Sequence, residues 1–169
     1  MIKTLRQVAR VGIVTEPPPA TDEELRIRSA LEQRIRAVLG RALCIRQVDA
    51  GSCNGCELEI HALNNPFHDI ERFGFRFVAS PRHADVLLVP SDFTHTTGQA
   101  HWELLLRARA VENLAYVIAP AQGGTHENGR RTWGHTMIVD PWGEVVAVRA
   151  EDGEGVVVAE VESGRLAQV

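Results

Sequence analysis

The chain has 169 residues, enough for one domain, and its 44% hydrophobic content supplies a buried core. Its net charge of -4 argues against a nucleic-acid partner, which usually shows as a basic face. The longest apolar runs, Val86 to Val89 and Val156 to Ala159, are strand-sized, so no membrane span is expected.

The N-terminal stretch MIKTLRQVARVGIVTEPPP has no apolar signal core and reads as cytosolic. Pro17, Pro18 and Pro19 make an extended linker, because proline fixes φ and lacks the amide donor. Thr21 is placed to cap a helix, with Glu24 completing a capping box. Ile27, Leu31, Ile35 and Val38 recur at helical spacing and Gly40 is the stop, which predicts a helix over 22–39. Leu43 to Val48 reads as a strand, Glu57 to Leu63 as a short helix, and Phe75 to Ala79 and Asp85 to Val89 as two more strands.

The second of these is a continuous apolar run of the kind found inside parallel sheets. A helix over 100–113 should bury Leu104, Ala108 and Val111 on one face. Tyr116 to Ala119 is a further buried strand, and 122–131 a polar, Gly-bearing loop. Thr136 to Val139 and Glu144 to Val148 flank Asp140-Pro141-Trp142-Gly143, a hairpin turn, and Gly155 to Val161 supplies a last strand. The order predicts an α/β domain with a mixed sheet. Parallel strand–helix units fill the first two thirds, and an antiparallel hairpin lies at the C-terminus.

The cysteines are three, Cys44, Cys53 and Cys56, all in the first third of the chain. Cys53 and Cys56 form a C-x-x-C pair in a strand-to-helix loop, where Gly51 and Gly55 allow a close turn. Such a pair supplies two of the four soft ligands that a zinc or iron–sulfur site needs. Cys44 lies within a strand and reads as a core cysteine. His61 and His68 are the histidines that could complete a mixed zinc site, although a helix face or loop explains both without metal.

Asp49 to Ile60 reads DAGSCNGCELEI and is followed by HALNNPFHDIERFGFRFVASPRHADVLLV. This stretch resembles the small iron–sulfur subunit shared by complex I and the membrane-bound nickel–iron hydrogenases, from about Glu16 to Val89. The resemblance implies electron transfer through a 4Fe-4S cluster, with Cys53 and Cys56 as its first two ligands. It also implies docking on a hydrogenase-like or complex I large subunit, at the cytoplasmic face of the membrane when assembled. The family's other two cysteines are absent, so stable cluster binding by this chain alone is not expected. Arg82 and His83 match a loop that the subunit presents beside its cluster. Glu57 is a candidate for proton movement there, although a carboxylate at a helix N-terminus has a sufficient structural reason.

From Ala84 a second resemblance begins. The segments ADVLLVPSDFTHTTGQAHWELLLRARAVENLAYVIAPAQ, RRTWGHTMIVDPWGEVVA and EGVVVAEVESGRLAQV resemble the C-terminal half of the nitrilase, or carbon–nitrogen hydrolase, superfamily. That family hydrolyses amides or nitriles with a cysteine nucleophile, a glutamate base and a lysine. The Cys-Tyr-Asp or Cys-Tyr-Glu context of its nucleophile is absent, and Lys3 is the only lysine, so the triad is not expected to assemble. Phe93 and Gln122 fall just past strand ends, where α/β folds place ligand pockets, and are expected to line what remains of one. His126, Glu127 and His135 show no metal-site spacing and read as polar surface.

The sequence thus divides into a tail and linker over 1–20, a partial iron–sulfur region over 21–89 and a partial hydrolase region over 84–169, the last two sharing one strand. The favoured reading is an iron–sulfur oxidoreductase small-subunit-like protein, inactive alone. The alternatives are a carbon–nitrogen hydrolase fragment without its triad, with homo-oligomers forming through that half, and an inert binding or structural remnant.

Overall fold

The structure, a computed structural model, describes Arg10 and residues 21–51, 54–151 and 153–168. The expected tail and linker therefore lie outside the described residues, Arg10 aside, as do Cys53 and the capping side chains of Thr21 and Glu24. Helix α1 spans Thr21–Leu39. It ends where Gly40 turns to φ +68, its N–H donating to the Arg36 carbonyl at 2.8 Å. Ile35 packs beside Gly74, and the Arg28 guanidinium lies over the Phe73 ring at 4.9 Å. The rest of the expected apolar stripe, Ile27, Leu31 and Val38, stays exposed.

Strand β1 (Leu43–Gln47) leads through the cysteine loop into helix α2 (Asn54–Ala62), followed by β2 (Phe75–Phe77) and β3 (Val86–Leu88). Helix α3 covers His95–Asn113, β4 Tyr116–Ala119, β5 Gly123–Thr125 and β6 Arg131–Trp133. Strands β7 (Thr136–Val139) and β8 (Val145–Arg149) and the short helix α4 (Ser163–Ala167) complete the fold. Six strands form one sheet in the order β2-β1-β3-β4-β7-β8. The four strands from β2 to β4 pair in parallel, and β7 and β8 add antiparallel. The mixed α/β sheet expected from the sequence is what forms.

Pro141 aside, every fully buried apolar side chain among those described lies between Val86 and Val139. The core joins Leu87, Val89, Val117, Ala119, Met137 and Val139 of the sheet to Trp102, Leu106 and Ala110 of α3. Burying one such Leu or Val side chain contributes about 1.5–3 kcal/mol, so this half of the chain carries most of the burial energy.

Three local expectations are corrected. The buried face of α3 is Gly98, Trp102, Leu106 and Ala110, at intervals of one turn, while Leu104 is 67% and Val111 49% exposed. Both stripes have helical spacing, and the fit of Gly98 against Trp133 selects one of them. A Cβ on Gly98 would lie 2.3 Å from the Trp133 Cβ. The expected loop over 122–131 instead contains β5, paired antiparallel with β6. Its GGT sequence has no apolar alternation to announce a strand. Finally, 155–161 forms no strand among the described residues, and Val156 and Val158 are 85% and 81% exposed. Val156 to Ala159 is an apolar run of strand length, but among the described residues the segment joins neither sheet.

Candidate active-site cleft

The parallel strands β3 and β4 end side by side at Pro90-Ser91 and Pro120-Ala121. The chain stays paired one step further. The Ser91 N–H donates to the Pro120 carbonyl, and the Gln122 N–H donates to the Ser91 carbonyl, both at 3.0 Å. The buried Ser91 hydroxyl reaches across to the Ala50 carbonyl at 3.4 Å, tying the cysteine loop to the same edge. A cleft of about 580 Å³ opens there, at the carboxyl ends of parallel strands where α/β sheets bind ligands.

Cys56 lines this cleft from the first turn of α2, opposite Gln122, His126, His135, Thr136 and Arg149. His135 sits in the left-handed region, φ +59, a conformation seldom taken outside glycine. Its ring stacks on Trp133 at 3.9 Å between centroids, with planes 2° apart. Its Nδ1 lies 2.7 Å from the Trp133 carbonyl, so Nδ1 carries the proton and Nε2 is left as the acceptor in the neutral ring. Trp133 is held in turn by His95, edge-on at 5.1 Å, and by its own N–H to the Phe93 carbonyl at 2.9 Å.

His126 is fixed differently. Its Nε2 is 2.8 Å from the hydroxyl of buried Thr132 and 3.8 Å from Oδ1 of Asp92. The other Asp92 oxygen pairs with Arg130 at 3.0 Å, and Oδ1 itself is buried without a hydrogen-bond partner. The loop reading of His126 and His135 gave no sign of this. Both are held by groups far away in sequence or by backbone geometry, neither of which spacing reveals.

The sequence-derived site residues are scattered. Gln122 lines the main cleft, whereas Phe93 lines a separate hollow with Gly51, Asp92 and Arg130, its ring 5.5 Å from Trp102. Glu57 lies in the first turn of α2, and Arg82 and His83 are exposed on a short 3-10 turn, Pro81–His83. Cys44 sits half-buried in β1, its sulfur accepting from Arg41 at 3.4 Å. Among the described residues no three His, Cys, Asp or Glu side chains are arranged to hold a metal ion. With three cysteines in the whole chain, the donors present do not fit a four-thiolate cluster.

The model of the carbon-nitrogen hydrolase family matches residues 74–169, more than half of the chain. The chain belongs to the carbon–nitrogen hydrolase family. The match begins at Gly74, ahead of β2 and β3, and includes the whole buried core. Over 86 residues the chain is 55% identical to the deaminated glutathione amidase of Synechocystis, covering 51% of this chain and 31% of that protein. The human deaminated glutathione amidase is 50% identical over 86 residues, covering 51% and 26%. The probable hydrolase nit2 of Schizosaccharomyces pombe is 61% identical over 64 residues, covering 38% and 23%. The chain thus spans less than a third of the length of these relatives.

Among solved structures, a CN-hydrolase superfamily protein from Xanthomonas campestris aligns with a TM-score of 0.50 at 25% identity, covering 73% of this chain and 42% of that one. These matches overturn the iron–sulfur oxidoreductase reading of the sequence. The family shown is a hydrolase family, and the relatives are named for amide hydrolysis. The C-x-x-C stretch drew that reading because a short thiol motif is specific in sequence while saying nothing about the sheet it is mounted on. No helix among the described residues is long and apolar enough to cross a membrane.

Proposed function

We propose that this carbon–nitrogen hydrolase family protein takes a small carboxamide of the deaminated glutathione kind into the cleft and attacks it with the Cys56 thiol. The observation that carries the reading is the place of Cys56. It stands at the start of a helix, on the cleft formed where β3 and β4 of the family-matched region end. The thiolate is the nucleophilic form of a cysteine. Attack of the sulfur on the carboxamide carbon would form a thioester as the amine leaves, and water would then release the acid. The backbone N–H groups of Ser91 and Gln122 are engaged in pairing and the Thr136 hydroxyl is held by the Ala121 backbone, so polar contacts to the bound carboxamide fall to other side chains of the cleft, Gln122 among them.

Lys3, the chain's one lysine, lies outside the described residues. The test is mass-spectrometric detection of the acid product from deaminated glutathione, with wild-type protein beside Cys56→Ala and Cys53→Ala. Product that disappears only with Cys56→Ala supports the reading. Equal rates in all three, or no product from any, would sink it.

The hydrolase half is also proposed to meet a second copy of the chain. Leu104 and Leu105 of α3 support this, being exposed apolar side chains of that half.

A further inference from the structure

We propose that Arg149 is the specificity-determining contact of the cleft, taking the carboxylate of a substrate whose other end is the carboxamide. The proposal rests on the carboxamide reading above, narrows the substrate class to acidic amides, and is tested apart from it.

Arg149 ends β8 directly opposite Thr136 of β7. Opposite residues of an antiparallel pair project to the same face of the sheet, so the arginine side chain leaves β8 beside Thr136. The Thr136 hydroxyl accepts the Ala121 N–H at 3.0 Å, which fixes this spot against the end of β4. Both side chains line the cleft that Cys56 also lines.

The guanidinium is clamped without being saturated. Its Nη2 donates to the Glu154 carbonyl at 3.0 Å. Gly155 lies close against it, since a Cβ there would stand 2.3 Å from Nε and 2.4 Å from Cζ. Nε is buried without a hydrogen-bond partner. Nη1 faces the Glu151 carboxylate at 3.7 Å, beyond hydrogen-bond reach. The Glu151 side chain is 74% exposed, so water screens that pair and it contributes little.

An arginine presents five N–H donors in a planar fork that matches a carboxylate. Here the backbone of Glu154 and Gly155 orients the fork while most of its donors stay uncommitted. A buried donor left unsatisfied is costly, and a carboxylate that accepts from two of these nitrogens would offset the cost. The other ionisable side chains around the cleft are Cys56, His126, His135, Glu151 and Glu154, which leaves Arg149 as its one guanidinium among the described residues. An incoming carboxylate therefore replaces Glu151 at Nη1, and Glu151 acts as a competitor tethered two residues away.

Binding measurements on the full chain decide the matter. Isothermal titration compares glutaramate, a carboxamide with a carboxylate at its far end, with the neutral diamide glutaramide. The wild type should bind glutaramate about tenfold more tightly. Arg149→Gln should abolish that preference by weakening glutaramate alone, and Glu151→Gln should tighten glutaramate several-fold with glutaramide unchanged. On the unaltered protein, phenylglyoxal labelling read peptide by peptide should show Arg149 protected by glutaramate and not by glutaramide, while Arg109 of α3 labels at a constant rate. Equal affinity for the two compounds, binding of neither, or Arg149 labelling that glutaramate leaves unchanged would overturn the contact. If Arg149→Gln unfolds, the labelling of the wild type decides in its place. Glutaramate that binds selectively and is never hydrolysed would reject the Cys56 chemistry and leave the Arg149 contact standing. Hydrolysis of both amides with Arg149 labelling unchanged would do the reverse.

Discussion

The guanidinium of Arg41 holds the carboxylate of Asp85 with two N–H donors, at 2.7 Å to Oδ2 and 2.5 Å to Oδ1. Asp85 is 4% exposed at the entrance to β3, and it also accepts the backbone N–H of Cys44 at 2.8 Å. One carboxylate therefore ties the segment before β1 to the first strand of the buried core. The fork geometry of arginine suits this bidentate grip, which a lysine could not reproduce.

Arg41→Met should lower stability by about 2 kcal/mol, because the buried Asp85 loses its counter-charge while keeping the Cys44 amide. The hydrogen bond that Arg41 donates to Asp85 raises the Arg41 pKa above its ordinary value, against a smaller opposing effect of burial. A group whose folded pKa is raised stabilises fully below its unfolded value and loses that contribution only as pH climbs through the folded one. The difference between wild type and Arg41→Met should therefore stay flat from about pH 6 to pH 9. Urea denaturation across that range checks both statements; a difference that shrinks toward pH 9 would contradict the second.

Gly98→Ala tests what selects the buried face of α3. In an exposed helix this change stabilises by about 1 kcal/mol. Here the new methyl would lie 2.3 Å from the Cβ and 2.5 Å from the Cγ of Trp133, so Trp133 must move. Overpacking should win, with a net loss of about 2 kcal/mol. Trp133 also supports the stacked His135 ring, so the binding proposed above for deaminated glutathione should weaken with it. A raised melting temperature would show that α3 does not pack in this register.

The β7–β8 hairpin depends on Asp140, which is 1% exposed. Its Oδ1 accepts the N–H groups of Trp142 and Glu144, each at 2.9 Å, and Arg165 of α4 pairs with its other oxygen. Asp140→Ala should cost about 3 kcal/mol, because two turn amides lose their acceptor and Arg165 keeps only its pairing with Glu144. Asp140→Asn keeps the Oδ1 acceptor and should cost roughly half as much. Equal losses on denaturation would place the whole effect in the Arg165 pair.

Leu104 is 67% exposed, so Leu104→Lys should leave the stability of a single chain within about 0.5 kcal/mol of wild type. If a second copy covers α3, the same change should shift sedimentation from dimer toward monomer. A wild-type chain that sediments as a monomer at micromolar concentration would reject that contact.

Much of the fold could be read from the chain. The apolar run at Val86 to Val89, the strand at Tyr116 to Ala119 and the turn at Asp140 to Gly143 each announce themselves through local composition. The end of α1 at Gly40 does so through a single residue that tolerates positive φ. The site was less legible. Gln122 was found because it follows a strand, but Phe93, placed by the same rule, opens on a different hollow. His126 reads as polar surface in the sequence and Asp92 and Thr132 carry no signal there, since their meeting depends on the β5–β6 pairing, which the glycine-rich sequence conceals.

By itself the sequence determined which segments could bury apolar surface, and in which order strands and helices follow, because those properties are periodic and local. Tertiary structure decided which of two equally spaced faces of α3 turns inward, since only the contact with Trp133 distinguishes them. It also decided that 155–161, though it holds an apolar run of strand length, joins neither sheet among the described residues. Most of all, it decided the surroundings of Cys56. A thiol motif names possible chemistry, but ligand geometry is a property of distance between remote residues, and here the fold sets Cys56 on a cleft with the imidazoles of His126 and His135.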